Sequence, residues 1–582
     1  MSLTATSTRA SRAGLNILKY TSATCRRRLY VTEATSAALE SDVVIVGGGP
    51  AGLALASALG SSSYLRKNIS ITLIEGGDLD KLKAWNPSPG TFSNRVVSLT
   101  NTSQAFLRGT NGLASRSSYI GAWSFVDEGR TCGVEEIQVW DGLSDARIEF
   151  AAAELGSQVE QSGMSRLTEN FNLQRGLLQH LDTIPEVKLL QQTKVVSITN
   201  DSEDRGGWPV LHLDNNKTIR TRLLVGADGF NSPVRAFAKI PSFGWAYNTQ
   251  AIVATMNHPP RGAFEGPNTT AYQRFLSTGP IAFLPLSSTT SSLVWSTKPP
   301  LAAALLACDS DVLASMINAA FRLPDVSLRV LHKLILERHE SGKPVSPSEI
   351  REEIHWREQA HAIDQNSTYA SALVKSQAGI PPEDSESVPP LVTEIQPKSA
   401  ASFPLRFNHA ETYIGEGLGA RTVLVGDAAH TVHPLAGQGL NLGLADVECL
   451  AKCIEDSLLN GGDIGSYTAL LPYTQERYLA NHTLMSAFDK LHKLYSTDCQ
   501  PIVWVRSVGL EVLNELDSVK AGIMMTAGAQ ASRRASSGSS GWTFAGNAVQ
   551  TLLSTVHTAG LVQGAIGTTF GSALKTLFEK AR

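Results

Sequence analysis

The sequence predicts an α/β fold organised around a mostly parallel sheet. Three segments predict it, each a short β-branched run ending in a glycine turn and a carboxylate. They are Asp42-Val-Val-Ile-Val46 with Gly47-Gly-Gly-Pro-Ala-Gly52 and the later Glu75, Thr221-Arg-Leu-Leu-Val-Gly-Ala-Asp-Gly229, and Thr422-Val-Leu-Val-Gly-Asp427. Apolar runs of about 4–8 residues bounded by turn residues read as buried strands. In open α/β sheets the carboxyl ends of such strands are where ligands bind. A chain of 582 residues allows two to four domains. With 42% apolar and 18% charged residues it can bury a sizeable core, which excludes wholesale disorder. The balance of 50 basic against 53 acidic residues, net −3, lacks the basic excess of a nucleic-acid binder.

The first 32 residues depart from that average. Arg9, Arg12, Lys19, Arg26, Arg27 and Arg28 stand there with no acid before Glu33, among ten Ser or Thr residues. Basic, hydroxyl-rich and acid-poor composition marks an organelle transit peptide and not a secretory signal. Residues 1–30 therefore read as a mitochondrial presequence cut after Tyr30, which removes Cys25 as well. The remainder carries 44 basic and 53 acidic residues, a net charge of −9. Its cysteines, Cys132, Cys308, Cys449, Cys453 and Cys499, contain no C-x-x-C pair and read as buried free thiols in a reducing compartment.

The first motif spells strand, glycine turn, helix, strand, acid. Gly47 permits the tight turn, Gly49 lets the backbone approach a pyrophosphate, and Gly52 lets helix and strand pack closely. Free N–H groups and the positive end of the following helix favour phosphate charge. Glu75 follows Gly52 by 23 residues, the offset of an acid that accepts from ribose hydroxyls. This suits a nucleotide with a free 2′-hydroxyl, FAD or NAD.

The later segments decide between them. Asp228 ends the second strand; Asp427 ends the third and is followed by Ala-Ala-His-Thr-Val-His-Pro434 and Leu435-Ala-Gly-Gln-Gly-Leu-Asn-Leu-Gly443. Together, in this order, the three segments resemble the flavin-dependent aromatic hydroxylases. The resemblance implies FAD as cofactor, with Asp427 on the ribityl chain. Pro434, Gly437, Gln438 and Gly439 would then lie under the isoalloxazine, Asp228 would support the flavin, and Arg95 of Asn94-Arg-Val-Val-Ser-Leu-Thr100 would face the cofactor. Gly244-Trp-Ala-Tyr-Asn-Thr-Gln250, Gln273-Arg-Phe-Leu276, Gly279-Pro-Ile-Ala-Phe-Leu-Pro285 and Arg406 in Phe403-Pro-Leu-Arg-Phe407 resemble the ubiquinone-biosynthesis branch of that family.

What this branch implies is hydroxylation at C5 of a polyprenylated 4-hydroxybenzoate ring by O₂, through a flavin C4a-hydroperoxide. It implies a ferredoxin and its reductase as electron donor, with NAD(P)H left open. Association with other ubiquinone-biosynthesis proteins, peripherally on the matrix side of the mitochondrial inner membrane, also follows. The implied architecture is a Rossmann-like FAD-binding domain (41–120, 166–235, 403–480) interleaved with an antiparallel-sheet substrate domain (121–165, 236–300). A partly mobile insertion (301–402), whose first part reads helical over Ala302–Phe321, and a helical C-terminal region (481–582) complete it. Arg274 and Phe275 are candidates for the substrate wall; no catalytic acid or base is assigned.

Other readings share the motifs. Asp427, His430 and His433 have a metal-like D-x-x-H-x-x-H spacing, but the strand and glycines already explain the segment, and no metal is expected. A flavin halogenase would carry a Trp-x-Trp-x-Ile-Pro segment, which is absent. A polyprenyl reductase or epoxidase, and a flavoprotein scaffold without activity, remain alternatives. The tail is distinctive: Ala535 to Leu574 holds no Asp, Glu, Lys or Arg, and Val549, Leu552, Leu553 and Val556 fall on one helical face. It packs on its own domain or contacts the inner membrane or a partner.

Overall fold

The computed structural model describes residues 39–109, 120–155, 163–202, 207–261, 266–364, 367–371, 386–433 and 437–514. The presequence, Pro434 and the chargeless stretch 535–574 lie outside the described residues.

The three sequence segments fold into one seven-stranded sheet. Its parallel part runs Val187–Leu190, Ile71–Ile74, Leu39–Val46, Thr218–Gly226 and Thr422–Leu424. Pro209–Leu213 and Val195–Asn200 extend it antiparallel. Val43, Val44, Ile45, Leu223, Leu224 and Val225 are fully buried. Continuous apolar runs are required here because these parallel strands are buried on both faces.

The substrate domain is a nine-stranded, mostly antiparallel sheet. Its centre is Ser242–Asn257, Thr290–Thr297, Gly279–Pro285 and Thr270–Leu276, flanked by Ala401–Ala410 on one side and Glu136–Asp141 on the other. A three-stranded sheet of Val96–Thr100, Ser165–Glu169 and Thr131–Val134 sits between the two larger ones. The segment 121–165 is therefore divided: Thr131–Val134 pairs with a strand that precedes the helix Asn170–Asp182, and Glu136–Asp141 with Arg147–Ala151 joins the substrate sheet.

The insertion is largely helical. Pro299–Ala307, Ser310–Arg322, Asp325–Glu340 and Pro347–Ala360 pack on the outer face of the substrate sheet. The helical stretch expected over Ala302–Phe321 is two helices, broken at Cys308–Asp309, where the Asp309 carboxylate caps the second by accepting from Asp311 N. Tyr272, Phe283, Trp295 and Phe321 are fully buried in this layer. Each contributes roughly 1.5–3 kcal/mol. The expected division at 480 is crossed by the unbroken helix Tyr467–Tyr495. The next helix, Gln500–Asn514, is clamped to the substrate sheet by Arg506, which donates to both Asp141 oxygens (2.7 and 2.9 Å) with both side chains fully buried.

Candidate functional site

The glycine turn closes against the second segment. Gly47 has φ +112°, and a Cβ there would stand 2.3 Å from the Ala227 carbonyl oxygen. A Cβ on Gly52 would stand 1.9 Å from the Gly47 carbonyl oxygen, whereas a Cβ on Gly49 would meet no atom of the described residues within 4 Å beyond its chain neighbours. The outer two glycines thus serve the fold, and the middle one leaves a face open. The helix Pro50–Ser61 starts at Gly49 without a side-chain cap, so its positive end meets the same opening. Glu75 sits beside it, accepting from Gly48 N at 2.5 Å and Gly77 N at 2.6 Å.

Asp228 follows the strand Thr218–Gly226. Its Oδ2 accepts from Val234 N at 3.0 Å, while Oδ1 is buried without a partner. Burial pushes this carboxyl above its ordinary pKa, against smaller opposing contributions from Ser232, Val234 and Arg235. An unpaired buried acceptor is costly unless a ligand hydroxyl or amide meets it.

Asp427 occupies a short turn, Gly426–Ala428, just beyond the strand Thr422–Leu424. Its side chain reaches solvent, yet protein surrounds it on the other sides, and that crowding pushes its carboxyl upward against a weaker pull from His430. The solvent-facing side decides its access to a ligand. Beside it, Gly426 and Gly443 pack backbone to backbone next to Ala51, joining the glycine turn to the helix Gly439–Leu459.

That helix begins at Gln438 with no side-chain cap, a second positive helix end at the cleft. Asn441 secures it: its Oδ1 accepts from Thr100 N at 3.0 Å, and its Nδ2 donates to the Ser98 carbonyl at 2.7 Å. Gly437, at φ +61°, lies directly against Ser98. Arg95, exposed, immediately precedes this strand. Gly47, Gly49, Gly52, Glu75, Arg95, Asp228, Asp427, Gly437, Gln438 and Gly439 therefore gather along one edge, at the carboxyl ends of the parallel strands.

Beneath them is a buried polar network centred on Asp446, which carries no sequence signal of its own. Asp446, fully buried, accepts from Gly426 N at 3.2 Å, pairs with His430 Nε2 at 2.6 Å, and accepts from Arg477 Nε at 3.0 Å and Asn481 Nδ2 at 2.9 Å. His430 is thus a packed residue hydrogen-bonded to Asp446. His433 is also buried, against Tyr247 and His492. Among the described residues no group of three His, Cys, Asp or Glu side chains is arranged to hold a metal ion.

The two wall candidates point to opposite faces of the strand Thr270–Leu276. Arg274 turns outward, donating to the Ala320 and Leu323 carbonyls (3.0 and 2.9 Å) at the end of an insertion helix. Phe275 turns inward but is covered by Tyr495, ring centroids 4.0 Å apart. Inward residues that stay half-open include Gln273, Ala282 and Val294.

This donor set fits FAD. Carboxylates at Glu75, Asp228 and Asp427 await hydroxyl or amide donors, and two uncapped helix ends with an open glycine face await phosphate and other negative charge.

The FAD binding domain family matches residues 130–339 and 306–488. The chain is 37% identical to the mitochondrial ubiquinone biosynthesis monooxygenase COQ6 of Saccharomyces cerevisiae, over 85% of this chain and 95% of that protein. It is 34% identical to the human protein of the same name, over 83% and 91%. Among solved structures it resembles p-nitrophenol 4-monooxygenase PnpA from Pseudomonas putida DLL-E4 (TM-score 0.53, 15% identity, 84% and 97% of the chains). It also resembles anhydrotetracycline hydroxylase OxyS from Streptomyces rimosus (TM-score 0.51, 16% identity, 86% and 78%). The chain belongs to the FAD-dependent ubiquinone biosynthesis monooxygenases.

Proposed function

We propose that the protein hydroxylates C5 of the aromatic ring of a polyprenyl 4-hydroxybenzoate-type intermediate, using O₂. The observation that carries this reading is the apposition of Asp427, Gly437 and Gly439 to the inward face of an apolar sheet. FAD supplies the activation of O₂ and the transfer of one oxygen atom, which side chains cannot perform.

The chain's own part is binding, orientation and water exclusion. Glu75, Asp228 and Asp427 hold the cofactor by its hydroxyl and amide groups, and Gly49 admits its phosphates. The start of the helix Gly439–Leu459 turns N–H groups and dipole toward negative charge developing on the ring system. The substrate sheet, with the helices Tyr467–Tyr495 and Gln500–Asn514 over one end, walls the ring from bulk water. Asp446 holds Gly426, and through it Asp427, without touching the cofactor.

For electrons we favour a ferredoxin and its reductase, the donor that the resemblance to the ubiquinone-biosynthesis branch implies. Arg95, Arg406 and Lys493 are exposed near the cleft, and they suit an acidic donor. No helix among the described residues is long and apolar enough to cross a membrane. Peripheral placement on the matrix side of the inner membrane, in company with other enzymes of the route, accords with a polyprenyl substrate and a cleaved 1–30 presequence. Anaerobic reduction of the purified flavoprotein tests the donor: reduced ferredoxin should bleach the flavin, and rapid bleaching by NADPH alone would reject it. Asp427→Asn tests the site, with loss of hydroxylation in a folded protein expected and undiminished turnover counting against it.

A further inference from the structure

We propose that Gln273 is the residue that recognises the polar substituents of the aromatic ring, within an apolar trough that accepts the hydrocarbon chain. This rests on the hydroxylase reading above and adds the part of the sheet that selects the substrate.

The trough follows from strand register. Val253 pairs with Val294, Val294 with Ala282, Ala282 with Gln273, and Gln273 with Val139. Residues paired directly across neighbouring strands project from the same face. The row thus crosses the sheet, and at about 4.8 Å per strand Val294 and Val139 stand roughly 14 Å apart. Val294, Ala282, Gln273 and Val139 are all half-buried, and Val139 closes one end of the row by packing against Ile148, Phe275 and Tyr495.

Both ends of Gln273's own strand are covered on this face. Phe275 lies under Tyr495, and Ala271 packs with Val134, Leu167 and Leu286. The same face leads to the cofactor: Val253 pairs with Ala401, and along that partner strand Phe407 falls on the same side and packs with Leu442 and Val432, in the elements that carry Gly439 and Asp427. The outer face is filled by the insertion helices.

Within this row Gln273 is the sole polar side chain, and no hydrogen bond among the described residues engages its amide. An amide offers two donors and a two-lone-pair acceptor. It matches a phenol hydroxyl or a ring carboxylate, and the valines and alanine match isoprene units. An apolar trough alone distinguishes ring substituents weakly, whereas a hydrogen-bonding group in it rejects analogues that lack a partner.

The test uses the FAD-loaded full chain and two probes, 3-geranyl-4-hydroxybenzoate and geranylbenzene, titrated by the perturbation of flavin absorbance. Gln273→Leu should weaken binding of the hydroxybenzoate about tenfold and leave geranylbenzene within about twofold. Flavin content should not change, since Gln273 touches none of the cofactor cradle. Gln273→Asn should recover part of the loss. Val294→Phe, which fills the trough, should weaken both probes. Equal sensitivity of the two probes to Gln273→Leu, no sensitivity of either, or indifference of both to Val294→Phe would overturn the proposal. If the unaltered protein binds neither probe, the aromatic-substrate reading itself fails and this proposal falls with it.

Discussion

Asp446, on the helix Gly439–Leu459, accepts a hydrogen bond from the backbone N–H of Gly426 at 3.2 Å, and so fixes the turn that presents Asp427. The same carboxylate pairs with His430 and Arg477 in a fully buried setting. Asp446→Leu would leave the Arg477 charge without its carboxylate and the Gly426 N–H without an acceptor. Unfolding in urea should show a loss of about 3–5 kcal/mol, and FAD affinity should fall although residue 446 does not reach the cofactor.

The same residue sets an acid limit. Burial alone raises the Asp446 pKa, but His430, Arg477 and Asn481 outweigh it and hold the carboxyl at about 2. An unfolded aspartate titrates near about 3.9. A group whose folded pKa is depressed contributes its stability fully above the unfolded value and loses it as pH falls toward the folded one. Urea midpoints should therefore fall between about pH 4 and pH 2 more steeply for the unaltered protein than for Asp446→Asn.

Two glycines of one turn should respond differently to the same change. Gly52→Ala places its Cβ 1.9 Å from the Gly47 carbonyl oxygen. It should destabilise the apoprotein by roughly 1–3 kcal/mol or more. Gly49→Ala meets no atom of the described residues within 4 Å beyond its chain neighbours, so the apoprotein's Tm should hold while FAD affinity drops by about tenfold or more, since the methyl occupies the pyrophosphate's approach. Thermal denaturation with and without FAD separates the two cases.

Arg506 and Asp141 join the helix Gln500–Asn514 to the substrate sheet as a fully buried bidentate pair. Arg506→Met alone strands the Asp141 carboxylate and should cost about 3–5 kcal/mol, with the double variant Arg506→Met, Asp141→Leu recovering much of it. Hydrogen exchange should show the helix 500–514 opening in the single variant.

The strand-end carboxylates and the glycine turn were legible because each depends on residues adjacent in sequence. Glu75, Asp228 and Asp427 end apolar runs, and Gly47 to Gly52 has its own local geometry. Asp446 was not legible: its partners Gly426 and Arg477 lie 20 and 31 residues away, and an Asp inside a helical pattern reads as a surface residue. Of the two wall candidates, Arg274 donates to the insertion's Ala320 and Leu323 carbonyls and Phe275 stacks on Tyr495. Strand alternation sends Arg274 outward to the insertion helices and Gln273 inward, a choice that the sequence Gln273-Arg-Phe-Leu276 leaves open. The insertion's first part was readable as helical, but its break at Cys308–Asp309 depends on a cap that only the backbone turn reveals.

Incorporation of ¹⁸O₂ tests the central claim most directly. The FAD-loaded protein, supplied with reduced ferredoxin and a prenylated 4-hydroxybenzoate, should yield a product with one ¹⁸O on a ring carbon, at C5, and the second oxygen atom in water. A product oxygenated or reduced on the prenyl chain, or an unlabelled ring despite full flavin turnover, would contradict it.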